Sequence, residues 1–192
     1  MSFMPKFLSD QQRKELLELA RKTLGLYAQK GETLKIETDD LSLKEVRGAF
    51  VSLHKNGKLR GCIGNIVGIK PLYAGVRDMA IASGFADSRF SPITEAELSE
   101  IDIEISVLSP LEKIENSAKI IMGKHGVLVK NDSSSGVYLP QVASETGWSR
   151  EEFMNSLCRD KAGISQDSWK TGETDIYIFT AEVFGEKEVK DE

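Results

Sequence analysis

The chain has 192 residues, 40% of them hydrophobic and 29% charged, and a formal net charge of −5 at pH 7. That length allows one sizeable core or two small lobes sharing an interface, and the acidic balance disfavours broad nucleic-acid binding, which needs a basic field against phosphates. No apolar run approaches the roughly 20 residues of a membrane span, and Met1 to Lys6 lack a basic region followed by an apolar core, so a cytoplasmic protein is expected.

Ser9 and Gln12 have the spacing of a capping box, and Leu16, Leu17, Leu19, Ala20, Thr23, Leu24 and Tyr27 continue a helical stripe to Gly31, which predicts a helix over 10–30. Asp39 and Asp40 lie in a polar link to a hairpin. Ala49 to His54 is strand-like, Asn56-Gly57 is a turn signal, and Leu59 to Ile63 returns as the second strand. A type I′ turn there pairs Lys55 with Lys58, Leu53 with Arg60 and Val51 with Cys62. Arg60 and Cys62 then share one face and His54 points away from the thiol.

Pro71 opens a second helix through Leu72, Val76, Met79 and Ala80, ending near Gly84. Ile101, Ile103, Ile105 and Val107 alternate with polar residues in a strand stopped by Ser109-Pro110. Residues 126–130 and 136–140 form a second hairpin, with Leu139 to Ala143 at its end. A capping box at Ser149 and Glu152 starts a helix that carries Phe153, Leu157 and Cys158 to Gly163, and 176–181 is a last strand. Hairpins and mixed ordering indicate an α+β fold with largely antiparallel sheets, and the length favours two lobes in one unit over 1–192.

The segment Leu59-Arg60-Gly61-Cys62-Ile63-Gly64 carries the densest chemistry. A guanidinium near a thiol favours the thiolate, which is the nucleophile, so Cys62 is a candidate nucleophile with Arg60 as its cation. The opposing reading is a small core residue. Gly61 and Gly64 imply that a backbone, a bulge or a ligand approaches closely. Asp87 and Arg89 either orient a polar ligand or staple their own loop. His125, whose ordinary pKa lies near neutrality, is a candidate acid/base or a turn residue, and Gln141 a binding group or a backbone partner. Cys158 reads as core filling. The two cysteines and two histidines are too few and too isolated for a zinc or iron-sulfur site, so neither metal nor cofactor is expected.

Taken together, Leu59 to Gly64 (LRGCIG), Asp87 to Pro92 (DSRFSP), Glu104 to Pro110 (EISVLSP), His125-Gly126, Leu139 to Ala143 (LPQVA) and Cys158 to Gly163 resemble the AMMECR domain family, from the first helix to Phe184. The resemblance implies a two-lobed α+β protein with antiparallel sheets flanked by helices, a single domain over 1–192 with a cleft between the lobes. It also implies an association with Memo-type or radical-SAM proteins, without assigning a reaction. A role involving nucleic acid has been suggested for the family, and the acidic balance gives that no support. The two readings carried forward are a small-ligand protein or enzyme using Arg60 and Cys62 at an inter-lobe cleft, with Asp87, Arg89, His125 and Gln141 completing it, and a non-catalytic adaptor.

Overall fold

The computed structural model describes residues 7–189. In chain order the main elements are α1 (Asp10–Lys30), α2 (Leu41–Lys44), β1 (Ala49–Lys55), β2 (Lys58–Asn65), α3 (Leu72–Phe85), β3 (Ile101–Leu108), β4 (Glu112–Ile114), β5 (Gly126–Lys130), β6 (Ser135–Tyr138), α4 (Pro140–Thr146), α5 (Arg150–Ser156), α6 (Ser168–Thr171), β7 (Asp175–Phe179), β8 (Ala181–Gly185) and α7 (Glu186–Val189). Helices with two four-stranded sheets, ordered β2-β1-β3-β8 and β4-β7-β5-β6, make the expected α+β fold. The described residues divide into two compact units, 7–108 with 182–189, and 109–181. Among them no helix is long and apolar enough to cross a membrane.

The first unit holds α1, α3 and the sheet that carries the thiol. The Ser9 hydroxyl accepts from Gln12 N–H while Gln12 Oε1 accepts from Ser9 N–H, and Gly31 closes the helix at φ 67°. Its stripe of Leu16, Leu17, Leu19, Ala20 and Leu24 packs in one cluster with Val76 and Ala80 of α3 and with Val51, Leu53, Ile103 and Ile105 of the sheet. Each Leu, Val or Ile among them contributes about 1.5–3 kcal/mol on full burial. By alternation, Phe50, Ser52 and His54 on β1, and Asp102, Glu104 and Ser106 on β3, stand on the opposite face.

The hairpin turn is as expected, with Asn56 at φ 52° and Gly57 at φ 74°, the two positive angles of type I′. Its register is not. Lys55 pairs with Lys58 and His54 with Leu59, but the next pair is Leu53 with Gly61, so Arg60 is an extra residue in a β-bulge. Beyond it every residue of β2 is displaced by one: Cys62 opposes Ser52 rather than Val51. A shift of one residue exchanges faces. Cys62 therefore lies on the face of Ser52 and His54, and the expectation that His54 points away from it is overturned.

In the second unit Phe153, Leu157 and Cys158 are buried with Val127, Val129, Ile176 and Ile178. The helix expected from Ser149 to Gly163 is α5 continued by a π-helical turn, Leu157–Ala162, that Gly163 ends at φ 66°. The closing strand is two, β7 and β8, broken at Thr180. Leu139 to Ala143 does not finish a hairpin: Pro140 takes the first position of α4, where its missing N–H and fixed φ suit a helix start.

Candidate functional site

The site is built on β2, an edge strand of its sheet. Gly61 faces α3 so closely that a Cβ there would lie 2.1 Å from the Ser83 carbonyl oxygen. Ser83 itself links the strands: its hydroxyl accepts from Ile63 N–H at 2.9 Å and donates to the Val51 carbonyl at 2.7 Å. On the other face a Cβ at Gly64 would lie 2.2 Å from Phe50 Cγ. Both glycines thus answer to close packing, Gly61 by a helix backbone and Gly64 by a ring.

Between them, Cys62 has both main-chain groups satisfied from outside the sheet. Its N–H donates to Asp87 Oδ2 at 2.9 Å, and its carbonyl accepts from Arg89 Nη2 at 3.1 Å. Residues of an antiparallel pair alternately exchange both ladder bonds or neither, and Cys62 opposite Ser52 is of the second kind. The Asp87–Arg89 pair therefore caps the free edge in place of another strand. Asp87 also accepts from Arg89 Nε at 2.9 Å and from Arg89 N–H at 3.2 Å. The guanidinium foremost, then the Cys62 and Arg89 backbone N–H groups, hold its carboxyl far below the usual carboxylate range against the opposing effect of burial.

Asp87 and Arg89 are thus a staple, and a staple with an open side. The Asp87 side chain is 3% exposed and that of Arg89 is 55% exposed. Arg89 is pushed above its ordinary pKa by Asp87 first, with a smaller electrostatic contribution from Cys62, so it is a fixed cation that feels the thiol.

Arg60 does not have that role. As the bulge residue it donates from Nε to Glu97 Oε1 at 3.2 Å and from Nη1 to the Ser91 carbonyl at 2.8 Å, tying down the loop that follows Asp87. Lys55 bonds the same carboxylate at 3.3 Å. Arg60 foremost, then the Thr94 backbone N–H, push Glu97 down to about 2. The cation at Cys62 is Arg89, and the pairing of Arg60 with the thiol is corrected accordingly.

The thiol is half-buried, with Ser52 Oγ at 3.1 Å from its sulfur. Ser52 also stands opposite Glu104, so Cys62, Ser52 and Glu104 form a row across β2, β1 and β3. His54, next along β1 on this face, stands opposite Asp102, which Lys187 bonds at 2.5 Å.

His125 and Gln141 belong to the second unit. His125 Nδ1 accepts from Ile121 N–H at 3.2 Å in a turn, and burial first, then Lys124, push its pKa down. Gln141 lies in the first turn of α4, and its buried Oε1 has no hydrogen-bond partner among the described residues. Among those residues no group of three or more His, Cys, Asp or Glu side chains is placed to hold a metal ion. Ser52, Ser83, Glu97 and Glu104 escaped the sequence reading. The one signal for the first was Gly61, since a strand glycine often marks a bulge.

A family model, AMMECR1, matches residues 17–184 of the chain. A protein of Methanopyrus kandleri is 40% identical over 182 residues, covering 90% of this chain and 87% of its own. One of Methanothermobacter thermautotrophicus is 37% identical, covering 97% and 99%. The crystal structure of an uncharacterised protein from Pyrococcus horikoshii superposes with a TM-score of 0.86 at 36% identity, covering 94% of each chain.

Proposed function

The chain belongs to the AMMECR1 family, and from that premise we propose that it is a small-ligand protein whose working group is the Cys62 thiol, acting as a nucleophile on the outer face of the first sheet. The observation that carries this reading is the half-buried sulfur with the Ser52 hydroxyl 3.1 Å away and the half-exposed Arg89 guanidinium anchored to its own carbonyl. Arg89 holds an anionic group of the ligand, and Asp87 fixes the direction of Arg89. The thiol loses its proton to solvent, and the thiolate, held by a hydrogen bond from Ser52, adds to an electrophilic carbonyl carbon beside that anion, the new S–C bond forming as the π pair of the C=O moves onto its oxygen. His125 as an acid/base and Gln141 as a binding group are separate proposals of the second unit, on which this one does not depend.

The test is alkylation of the native protein, with the modified residue located by mass spectrometry. Cys62 reacts, and iodoacetate gains on neutral iodoacetamide relative to a free thiol. Arg89→Gln removes that gain while near-ultraviolet circular dichroism stays native. A Cys62 that stays unmodified in the native state sinks the reading.

A second reading, a non-catalytic adaptor, has its own support. Val46, Val67 and Ile69 are 60%, 57% and 74% exposed. They lie on adjoining segments, since Val46 bridges to Pro71 and a Cβ on Gly68 would lie 2.5 Å from the Arg47 backbone. Exposed apolar residues grouped in this way mark partner surfaces. Co-purification with a Memo-type or radical-SAM protein, lost in Val67→Asp with Ile69→Asp but kept in Cys62→Ser, supports it. Co-purification unchanged by both moves the interface elsewhere.

A further inference from the structure

The acidic side chains around the first sheet are paired almost without exception. Asp87 holds Arg89, Glu97 holds Arg60 and Lys55, Asp102 holds Lys187, and Glu182 holds Arg13. Glu104 differs. It is half-buried on β3, and among the described residues no hydrogen bond or ion pair engages its carboxylate. A half-buried carboxylate with no cation or donor from the protein leaves its acceptor oxygens for an incoming donor, and a ligand ammonium is such a group.

Its position says which ligand. Ser52 opposes both Cys62 and Glu104, so the order across the face is Arg89 outside the edge, then the thiol, the hydroxyl and the carboxylate. Strands lie about 4.8 Å apart, which puts the backbones carrying Cys62 and Glu104 about 10 Å from one another. The row is positive at one end and negative at the other, with the nucleophile between. We infer that Glu104 is part of the Cys62 site and that the ligand is a small dipolar molecule of the ω-amino-acid or short-peptide class, long enough to hold its two charges on either side of the sulfur. Its carboxylate meets Arg89, its ammonium meets Glu104, and its electrophilic atom sits over the sulfur. This rests on the reading of Cys62 as the working group and adds to it the charge pattern of the ligand.

Glu104 acts on the charge of whatever approaches the thiol, and that is separable from any effect on the thiol itself. Methanethiosulfonates react by attack of the thiolate on the sulfenyl sulfur, forming a mixed disulfide and releasing methanesulfinate. The aminoethyl, methyl and sulfonatoethyl reagents differ in charge. Dividing the rate for each charged reagent by that for the neutral one removes the state of Cys62, and division by the same ratio for a free thiol removes the reagent. Glu104→Gln lowers the aminoethyl ratio by roughly two- to seventeenfold, the range of a unit charge acting over about 10 Å at effective dielectrics between water and protein surface. Arg89→Gln lowers the sulfonatoethyl ratio instead.

A measurement on the unsubstituted protein covers the case in which Glu104→Gln does not fold. 5-Aminopentanoate protects Cys62 from the neutral reagent at lower concentration than pentanoate or pentylamine. Failure of Cys62 to react even with the neutral reagent removes both readings. Reaction with an aminoethyl ratio unmoved by Glu104→Gln, or equal protection by the three compounds, overturns the dipolar ligand and leaves the nucleophile standing.

Discussion

Gly61→Ala should be among the most costly single-methyl changes in the first unit. The added Cβ lands 2.1 Å from the Ser83 carbonyl oxygen, where real Cβ atoms keep at least 3.0 Å, so strand or helix backbone has to retreat by about 0.9 Å. That retreat pulls Ser83 away from Ile63 N–H and the Val51 carbonyl, bonds of 2.9 and 2.7 Å with little slack. Two weakened hydrogen bonds at about 1 kcal/mol each, with overpacking of about 1–3 kcal/mol, outweigh the 0.5–1 kcal/mol that alanine ordinarily gains over glycine within a strand. The expected loss is about 3 kcal/mol. Gly75→Ala is the matched control, because nothing lies within 4 Å of its Cβ and it sits in α3, where alanine is the better helix former by about 0.8–1 kcal/mol. Urea unfolding followed by circular dichroism reads both. Tryptophan fluorescence reports the second unit alone, since Trp148 and Trp169 lie there. A Gly61→Ala midpoint within 0.5 kcal/mol of wild type, or the same sign for both substitutions, refutes the close-approach argument.

The two cysteines should separate cleanly in native thiol labelling. Burial pushes the Cys158 thiol up and no sulfur surface reaches solvent, so it reacts only after denaturation, whereas Cys62 reacts in the folded chain; labelling of Cys158 first would count against the site. Glu97→Gln should destabilise at neutral pH. The folded pKa of about 2 lies below the ordinary 4.5, so the carboxylate's contribution is complete above 4.5 and fades as pH falls toward 2, and the gap between variant and wild type closes over that window in urea titrations. A gap that is constant down to pH 2 would mean that Arg60 and Lys55 do not hold it. Asp87→Asn weakens the charge-assisted bonds to Arg89 and Cys62 and should cost about 1.5–3 kcal/mol at pH 7, read from the same unfolding curves.

What the sequence made legible follows from how local each signal is. Capping boxes at Ser9 and Ser149, the stripe of α1 and the Asn56-Gly57 turn are each decided within a few residues, and each is found where the pattern puts it. The bulge at Arg60 is decided by α3, more than twenty residues on, whose backbone needs Gly61 opposite Ser83. No pairing rule applied outward from the turn sees that. One undetected extra residue then misplaced Cys62 by a full face and gave its cation to the wrong arginine. Glu104 was hidden for the same reason: it enters the site through its register with Ser52, and register across three strands is not written in any one of them.

The structural and functional readings of Asp87-Ser88-Arg89 are not alternatives, because one guanidinium serves both. Its forked grip, Nε and Nη2 on Asp87 and Nη2 on the Cys62 carbonyl, caps the sheet edge, while more than half of its side-chain surface stays open to solvent. Grip depends on the planar fork, and attraction of an anion depends chiefly on the charge. Arg89→Lys keeps the second and loses the first. It should therefore lower the unfolding midpoint nearly as far as Arg89→Gln does and yet retain most of the iodoacetate preference that Arg89→Gln abolishes. If stability and preference fall together in Arg89→Lys, the cation works only through the backbone it holds at Cys62, and direct recognition of an anion by Arg89 is wrong.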